Sequence, residues 1–238
     1  MFDSLPLYND SYEIFSINYN DHYTGLLYFA PWLRNKMNEY GYETPLQVGD
    51  ACAALSIRNV FADLPPYYPD ENNNSIEDII EILENPTYPD YESSKKLYFA
   101  DQSSLISKKA VIALYTGQHF FSLQPSYDPE HWDQLHWFHA GLIETKEYYE
   151  NGQNVFKALK PSYYTYKLFI DKVVGAGREI EKLDLGKHVY AFRLVKDNKP
   201  LIFIWHENIF DVDAKTGLVR RNQRKTVDLS QYISTPNG

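Results

Sequence analysis

The hydrophobic pattern of this chain changes period once, near residue 186, and this change limits the folds open to it. Upstream, apolar segments at 12–19 and 45–49 flank a stretch whose apolar residues recur at helical spacing, which is the strand–helix–strand pattern of a parallel sheet. Downstream, residues 189–205 alternate in period two around Asp197-Asn198, which predicts a β-hairpin. The sequence thus predicts an α/β region followed by an antiparallel β segment.

Helices are predicted where helical spacing coincides with end signals: cap residues, a proline at the first helical position, and glycines after the last apolar residue. The predicted helices run from Thr24 to Gly41, from Ile76 to Leu83, from Ser94 to Tyr115 and from Pro161 to Val174. Further strands are predicted over His119–Leu123 and Thr226–Leu229.

The composition predicts a folded protein that does not enter a membrane. Of the 238 residues, 44% are hydrophobic and 16% aromatic, enough for a substantial core. No apolar run reaches the ~18 residues of a membrane helix. The start, Met1-Phe2-Asp3-Ser4, lacks a signal-peptide pattern, and the single Cys52 excludes an internal disulfide or a Cys-rich metal site. We therefore expect a cytoplasmic protein.

Charge argues against nucleic acid as the main partner, because the net charge of −9 has the wrong sign for binding phosphates. The charge is unevenly distributed: residues 1–150 hold 8 Lys and Arg against 23 Asp and Glu, whereas residues 151–238 hold 15 against 9. This asymmetry fits two segments that attract each other, an acidic face around a site, or an ordinary surface of uneven composition.

Several segments resemble parts of one enzyme family. The strands at 12–20 and 45–50 and the stretch 118–143 resemble the last strands of a clan-A glycoside hydrolase (β/α)8 barrel. The segment Lys160-Pro161-Ser162-Tyr163-Tyr164-Thr165-Tyr166-Lys167 resembles the opening of that family's eighth helix. The hairpin at 189–205 is similar to the small β-sandwich that packs beside the barrel in xylosidase- and iduronidase-type members.

The resemblance implies an α/β fold in two parts. Residues 1–185 would form a partial (β/α)8 TIM-type barrel with strands six to eight, and residues 186–238 an antiparallel β segment. A full barrel takes roughly 200–250 residues, more than precede the hairpin. The resemblance also implies hydrolysis of O-glycosidic bonds and a carbohydrate ligand, with no cofactor or metal.

Glycosidases need two carboxylates flanking the scissile bond. The resemblance implies that the acid follows an Asn at the end of strand four, upstream of the strands identified. The one Asn-Glu pair of the chain, Asn38-Glu39, lies in a helical pattern and is a poor candidate. We therefore expect a chain that lacks the general acid and is weakly active or inactive alone.

Asp50 is the candidate catalytic residue. It ends the second predicted strand, at the rim where barrel active sites lie, and matches the position of the family's strand-seven nucleophile. The usual residue there is Glu, whose carboxylate reaches one methylene further. The alternative is that Asp50 caps a turn or the next helix.

The candidate substrate-binding residues are Asn18, Tyr19, His22 and Trp132. Asn18 and Asn20 lie where such enzymes often have His-x-Tyr, and His22 would reach over the rim in place of that histidine. Tyr19 and Trp132, like Tyr23 and Trp137, offer flat apolar faces to sugar rings. The alternatives are a solvated loop histidine and aromatic residues that belong to the core.

A histidine cluster at His131, His136 and His139, with Asp133, suggests a zinc site, since His136 and His139 share a helix face. The spacing matches no standard metal motif, so we predict no metal. Gly175-Ala176-Gly177 ends a helix rather than beginning one, which excludes a phosphate loop.

Two other interpretations remain open. The chain is either a non-catalytic carbohydrate-binding or interaction module, or one half of a split glycosidase. Three parallel strands without barrel neighbours leave backbone groups and apolar faces uncovered. We therefore expect a homo-oligomer or pairing with a complementary barrel fragment.

Overall fold

The computed structural model describes residues 25–46, 48–51, 86–87, 89, 91–118, 121–123, 141–150, 153–206 and 224–233, and the structural statements below concern these residues. They form a mixed α and β architecture. In chain order the elements are α1 (Gly25–Glu39), β1 (Val48–Ala51), α2 (Tyr91–Tyr115), β2 (Phe121–Leu123), β3 (Ile143–Glu150), β4 (Gln153–Leu159), α3 (Pro161–Val173), β5 (Ile180–Leu183), β6 (Val189–Lys196), β7 (Lys199–His206) and α4 (Ser230–Ile233).

The described strands form three small sheets. β1 and β2 are a parallel pair, with α2 between them in the sequence. β3 and β4 form an antiparallel hairpin, and β5, β6 and β7 form an antiparallel sheet in that order. Among the residues described, the strands do not close into a barrel.

The helix ends follow the local signals in the sequence. α1 and α2 are each followed by a glycine with positive φ, Gly41 and Gly117, both at 75°. This conformation suits glycine because it has no Cβ. Pro161 opens α3, where its missing N–H costs no helical hydrogen bond. The prediction of these three helices is confirmed, with α2 beginning three residues before Ser94.

The predicted hairpin is confirmed as β6 and β7. Its two-residue turn is Asp197-Asn198, with φ of 51° and 60°, as a type I′ turn requires. The pairing runs without a break from Lys196↔Lys199 to Val189↔His206. A two-residue turn of this kind fixes the register, so Phe192 pairs with Phe203.

The core lies between the second half of α2 and the sheet of β5, β6 and β7. On α2, Ile106 and Ile112 are at most 1% exposed, and on β6 Phe192 is fully buried. The Tyr115 and Phe192 ring centroids lie 5.1 Å apart. α3 packs against the same cluster through Phe169, whose ring lies 5.5 Å from that of Phe203. Burial of these side chains, at about 25 cal/mol per Å² of apolar surface, joins two helices and a sheet into one unit.

Three features of the C-terminal half differ from the sequence prediction or were not predicted. The predicted strand Thr226–Leu229 is wrong: this segment pairs with no described strand and leads into α4, where Asp228 accepts a 2.8 Å hydrogen bond from the Ser230 N–H and caps the helix. The β3–β4 hairpin was not predicted. β5 was not predicted either, and it pairs with β6 across the expected boundary at 185/186.

Two predicted elements lie outside the described residues: the strand over 12–19 and the helix over 76–83. The predicted strand over 119–123 is confirmed at Phe121–Leu123. None of the described helices is both long and apolar enough to cross a membrane.

Candidate functional site

Asp50 lies in β1, one residue before that strand ends. Val48 is paired with Phe121 and Ala51 with Leu123, so β1 has one more residue than β2 between the two pairings. This extra residue is a β-bulge that spans Gly49 and Asp50. The carboxyl ends of parallel strands share one edge of a sheet, the edge at which α/β proteins bind ligands, and bulges occur often next to active sites.

The other predicted site residues lie outside the described part of the chain. These are the predicted substrate-binding residues Asn18, Tyr19, His22 and Trp132. The same holds for the histidine cluster of His131, His136 and His139 with Asp133. Among the described residues, no group of three or more His, Cys, Asp or Glu side chains is arranged to hold a metal ion.

The Asn38-Glu39 pair lies at the end of α1, as predicted. Glu39 accepts a 2.7 Å hydrogen bond from Lys36 one helical turn earlier, and both side chains are about half exposed. This solvated carboxylate, paired with lysine, lacks the burial that a general acid's site provides.

A buried polar cluster joins α2, α3 and the segment before β3. Gln102 and Ser162 are both fully buried. The Ser162 hydroxyl donates a 2.9 Å hydrogen bond to the Gln102 side-chain oxygen, and the Gln102 amide donates one of 3.1 Å to the Gly141 carbonyl. Buried polar groups are stable only with such partners, so this cluster connects the start of α3 and the segment before β3 to α2.

Lys160, the residue before α3, is 1% exposed. Its backbone N–H donates a 3.0 Å hydrogen bond to the Leu142 carbonyl, and its ammonium lies 5.3 Å from the centre of the Phe99 ring. A ring face attracts a cation, and more strongly where water is excluded. Lys109 on α2 is equally buried. Lysines are almost never fully buried without partners, and both of these have further interactions.

One carboxylate oxygen of Glu144, at the start of β3, accepts hydrogen bonds from two lysines. Lys95 and Lys157 donate to its Oε1 at 2.8 and 2.6 Å, and the carboxylate side chain is only 14% exposed. Burial alone would raise the pKa of Glu144, but the hydrogen bonds from Lys157 and Lys95 outweigh it and hold the pKa below its ordinary value. Burial would likewise lower the pKa of Lys95, yet the bond to Glu144 raises it.

A basic group lies at the far end of the sheet, where β6 begins and β7 ends. His188 has a φ of 61°, in the left-handed region that non-glycine residues seldom adopt. Burial, followed by the charges of Lys187, His206 and Lys225, lowers the pKa of His188 from its ordinary value. Lys225 donates a 2.9 Å hydrogen bond to the Lys187 carbonyl, which ties the C-terminal segment to this turn.

Comparisons with models of known protein families, with curated proteins and with solved structures found no match.

The sequence contains a signal for the buried polar cluster. Gln102 and Lys109 lie three or four residues from Ile106, on the same helix face as Ala113. A polar residue on an apolar helix face means one of two things: the spacing has been assigned to the wrong face, or the polar group is buried and has hydrogen-bond partners. In the motif at Lys160, which resembles a helix opening of the family, the lysine and the serine are both buried.

Proposed function

We propose that the chain carries glycoside hydrolase chemistry, with Asp50 as the nucleophile, and that residues 1–185 derive from a partial (β/α)8 barrel in a cytoplasmic protein. The observation that carries the proposal is the place of Asp50 at the carboxyl end of β1, within a bulge and beside the parallel strand β2. This is the edge at which a barrel or open α/β sheet binds its substrate.

The element order after β1 also supports the proposal. α2 and β2 follow β1, and α3 comes after the β3–β4 hairpin; the Lys160-Pro161-Ser162 segment that opens α3 is the one that resembles the family's eighth helix. The antiparallel sheet comes after α3, in the place where the resemblance implies a β segment.

The proposed reaction has two halves. An Asp50 carboxylate oxygen attacks the anomeric carbon, the bond from that carbon to the leaving oxygen breaks, and a glycosyl ester forms. Water then attacks the same carbon, the bond from that carbon to the Asp50 oxygen breaks, and the sugar and the free carboxylate form as the water gives up a proton to the solvent. No described residue fits the role of general acid, so substrates whose leaving group needs no proton should react best.

The test is turnover of dinitrophenyl glycosides, because dinitrophenolate leaves without a proton, compared with phenyl glycosides. We expect measurable release from the dinitrophenyl substrates, little from the phenyl ones, and none from Asp50→Asn. Asp171→Asn is the matched control, since Asp171 is an exposed carboxylate on α3, paired with Lys167. Equal turnover by Asp50→Asn and the unchanged chain would contradict the proposal.

A second candidate is pairing with a complementary barrel fragment or a second copy. The outer face of α3 exposes Tyr164 at 58% and Leu168 at 55%, and α1 exposes Trp32 at 53%. Apolar side chains at i and i+4 form a stripe that a neighbouring helix can cover. Light scattering over a concentration series tests it: a mass above 27.8 kDa that falls with Tyr164→Lys supports pairing, and a constant monomer mass contradicts it.

A further inference from the structure

A cavity of about 200 Å³ lies between α2 and the edge strand β7, apart from the β1–β2 edge. From α2 it is lined by Ser104, Ser107, Lys108 and Val111, which recur at the spacing of one helix face. From β7 it is lined by Phe203, Ile204 and Trp205. Successive strand residues point to opposite faces, so a cavity touching all three runs along the edge of the strand.

The floor of this cavity is aromatic. The Trp205 indole is stacked against Tyr190 at 5.4 Å between ring centroids and against Phe192 at 5.5 Å. Both partners belong to β6, so they hold the indole from the side opposite to the cavity edge of β7. Because the ring is already fixed, little conformational entropy is lost when a ligand packs against it.

The polar lining selects the kind of group that binds. Ser107 donates its hydroxyl hydrogen to the Ser103 carbonyl at 3.1 Å, so its oxygen can only accept from a ligand. The Lys108 ammonium can only donate, and the Ser104 hydroxyl does either. A ligand that matches needs hydrogen-bond donors and acceptors around an apolar face. An ionised carboxylate only accepts, so it leaves the Ser107 oxygen unused.

We propose that this cavity binds a neutral saccharide ring, with the C–H face of the ring on Trp205 and its hydroxyls on Ser104, Ser107 and Lys108. The cavity is smaller than the roughly 300–1,000 Å³ of pockets for drug-sized ligands, which suits one ring rather than a longer chain. The site is separate from Asp50 and does not depend on the proposed hydrolysis.

Calorimetric titration of the full chain tests the site, with methyl β-D-glucopyranoside and methyl β-D-xylopyranoside as neutral probes and inorganic phosphate as the anionic probe. At least one glycoside should bind, and the double variant Ser104→Ala/Ser107→Ala should weaken it about tenfold, as two hydrogen bonds are lost. Ser103→Ala is the matched control: its hydroxyl also bonds back along α2, to the Phe99 carbonyl at 2.7 Å, but does not line the cavity.

Three results would overturn the site: no binding of either glycoside, equal weakening in Ser103→Ala, or tighter binding of phosphate. Asp50→Asn separates this site from the proposed catalytic edge. Unchanged glycoside affinity in Asp50→Asn supports the cavity. If Asp50→Asn loses glycoside binding and the serine double variant binds as tightly as the unchanged chain, the sugar binds at β1. The cavity assignment is then wrong, and the proposed function stands.

Discussion

The β1–β2 pair and the β5–β6–β7 sheet are held together in different ways. β6 and β7 pair at eight consecutive positions and bury one face against α2. Over their described residues, β1 and β2 pair at two positions with a bulge between them. The apolar core that the structure describes lies at the C-terminal sheet, whereas the candidate catalytic carboxylate lies on a short pair of strands. Functional segments are often drawn from the less stable part of a fold.

The comparison predicts that the C-terminal sheet stabilises the rest of the chain. Deleting residues 186–238 removes β6 and β7, leaves β5 without its partner and uncovers Ile112 and Tyr115 on α2. We expect the 1–185 chain to be insoluble or to lose its cooperative melt, measured by circular dichroism. A soluble 1–185 chain with an unchanged melting temperature would show that the sheet is an independent module.

A single core substitution should have the next largest effect. Phe192 is fully buried, between Tyr115 and Trp205. Phe192→Ala should lower the free energy of unfolding by about 3–5 kcal/mol, because it removes apolar contacts and leaves a cavity. Val195→Ala on the same strand is the control, since Val195 is 44% exposed. If denaturant titration finds similar losses of unfolding free energy for the two variants, the core does not lie at this face of β6.

The buried polar cluster should contribute less to the free energy of unfolding than Phe192 does. Gln102→Leu removes the hydrogen bonds that Gln102 makes to the Ser162 hydroxyl and the Gly141 carbonyl, at a cost of about 1–3 kcal/mol. In the double variant Gln102→Leu/Ser162→Ala the loss should be smaller than the sum of the single losses, because Ser162 no longer needs an acceptor. Strict additivity in urea titrations would mean that the two side chains do not interact.

The smallest of the predicted changes in stability depends on pH. The pKa of Glu144 is lower in the folded state, so its contribution is complete above the unfolded pKa of about 4.3 and is lost as the pH falls through the folded value. Glu144→Gln should lose about 1 kcal/mol at pH 7 after allowance for solvent screening, and the difference should shrink below about pH 4. Glu181→Gln is the exposed control, from the pair with Arg193 at 3.3 Å. A pH-independent difference would contradict the ion pairs of Glu144.

Local signals explain which elements could be predicted from the sequence. Gly41, Gly117 and Pro161 fix helix ends through backbone geometry alone, and Asp197-Asn198 fixes a hairpin. The β3–β4 hairpin has a similar signal, Asn151-Gly152, but the charged residues of its strands obscured the alternation. The Gln102–Ser162 bond joins residues 60 positions apart, and no local pattern predicts such a contact.

The candidate site was predicted only in part, for a physical reason. A carboxylate at the end of a strand is recognisable from the pattern around Asp50, but its neighbours come from other strands and depend on how these pair. β1 and β2, which correspond to the second and third predicted strands, lie side by side and parallel. The bulge that spans Gly49 and Asp50 depends on that register, which the local sequence does not determine.

Covalent trapping tests the central claim, that Asp50 is a nucleophile, most directly. The full chain is incubated with dinitrophenyl 2-deoxy-2-fluoroglycosides, whose fluorine slows hydrolysis of the glycosyl ester, and the labelled peptide is identified by mass spectrometry. We predict one added fluoroglycosyl group, on Asp50, with none on Asp50→Asn and normal labelling of Asp171→Asn. A label on another carboxylate, or none on any, would contradict the assignment of Asp50.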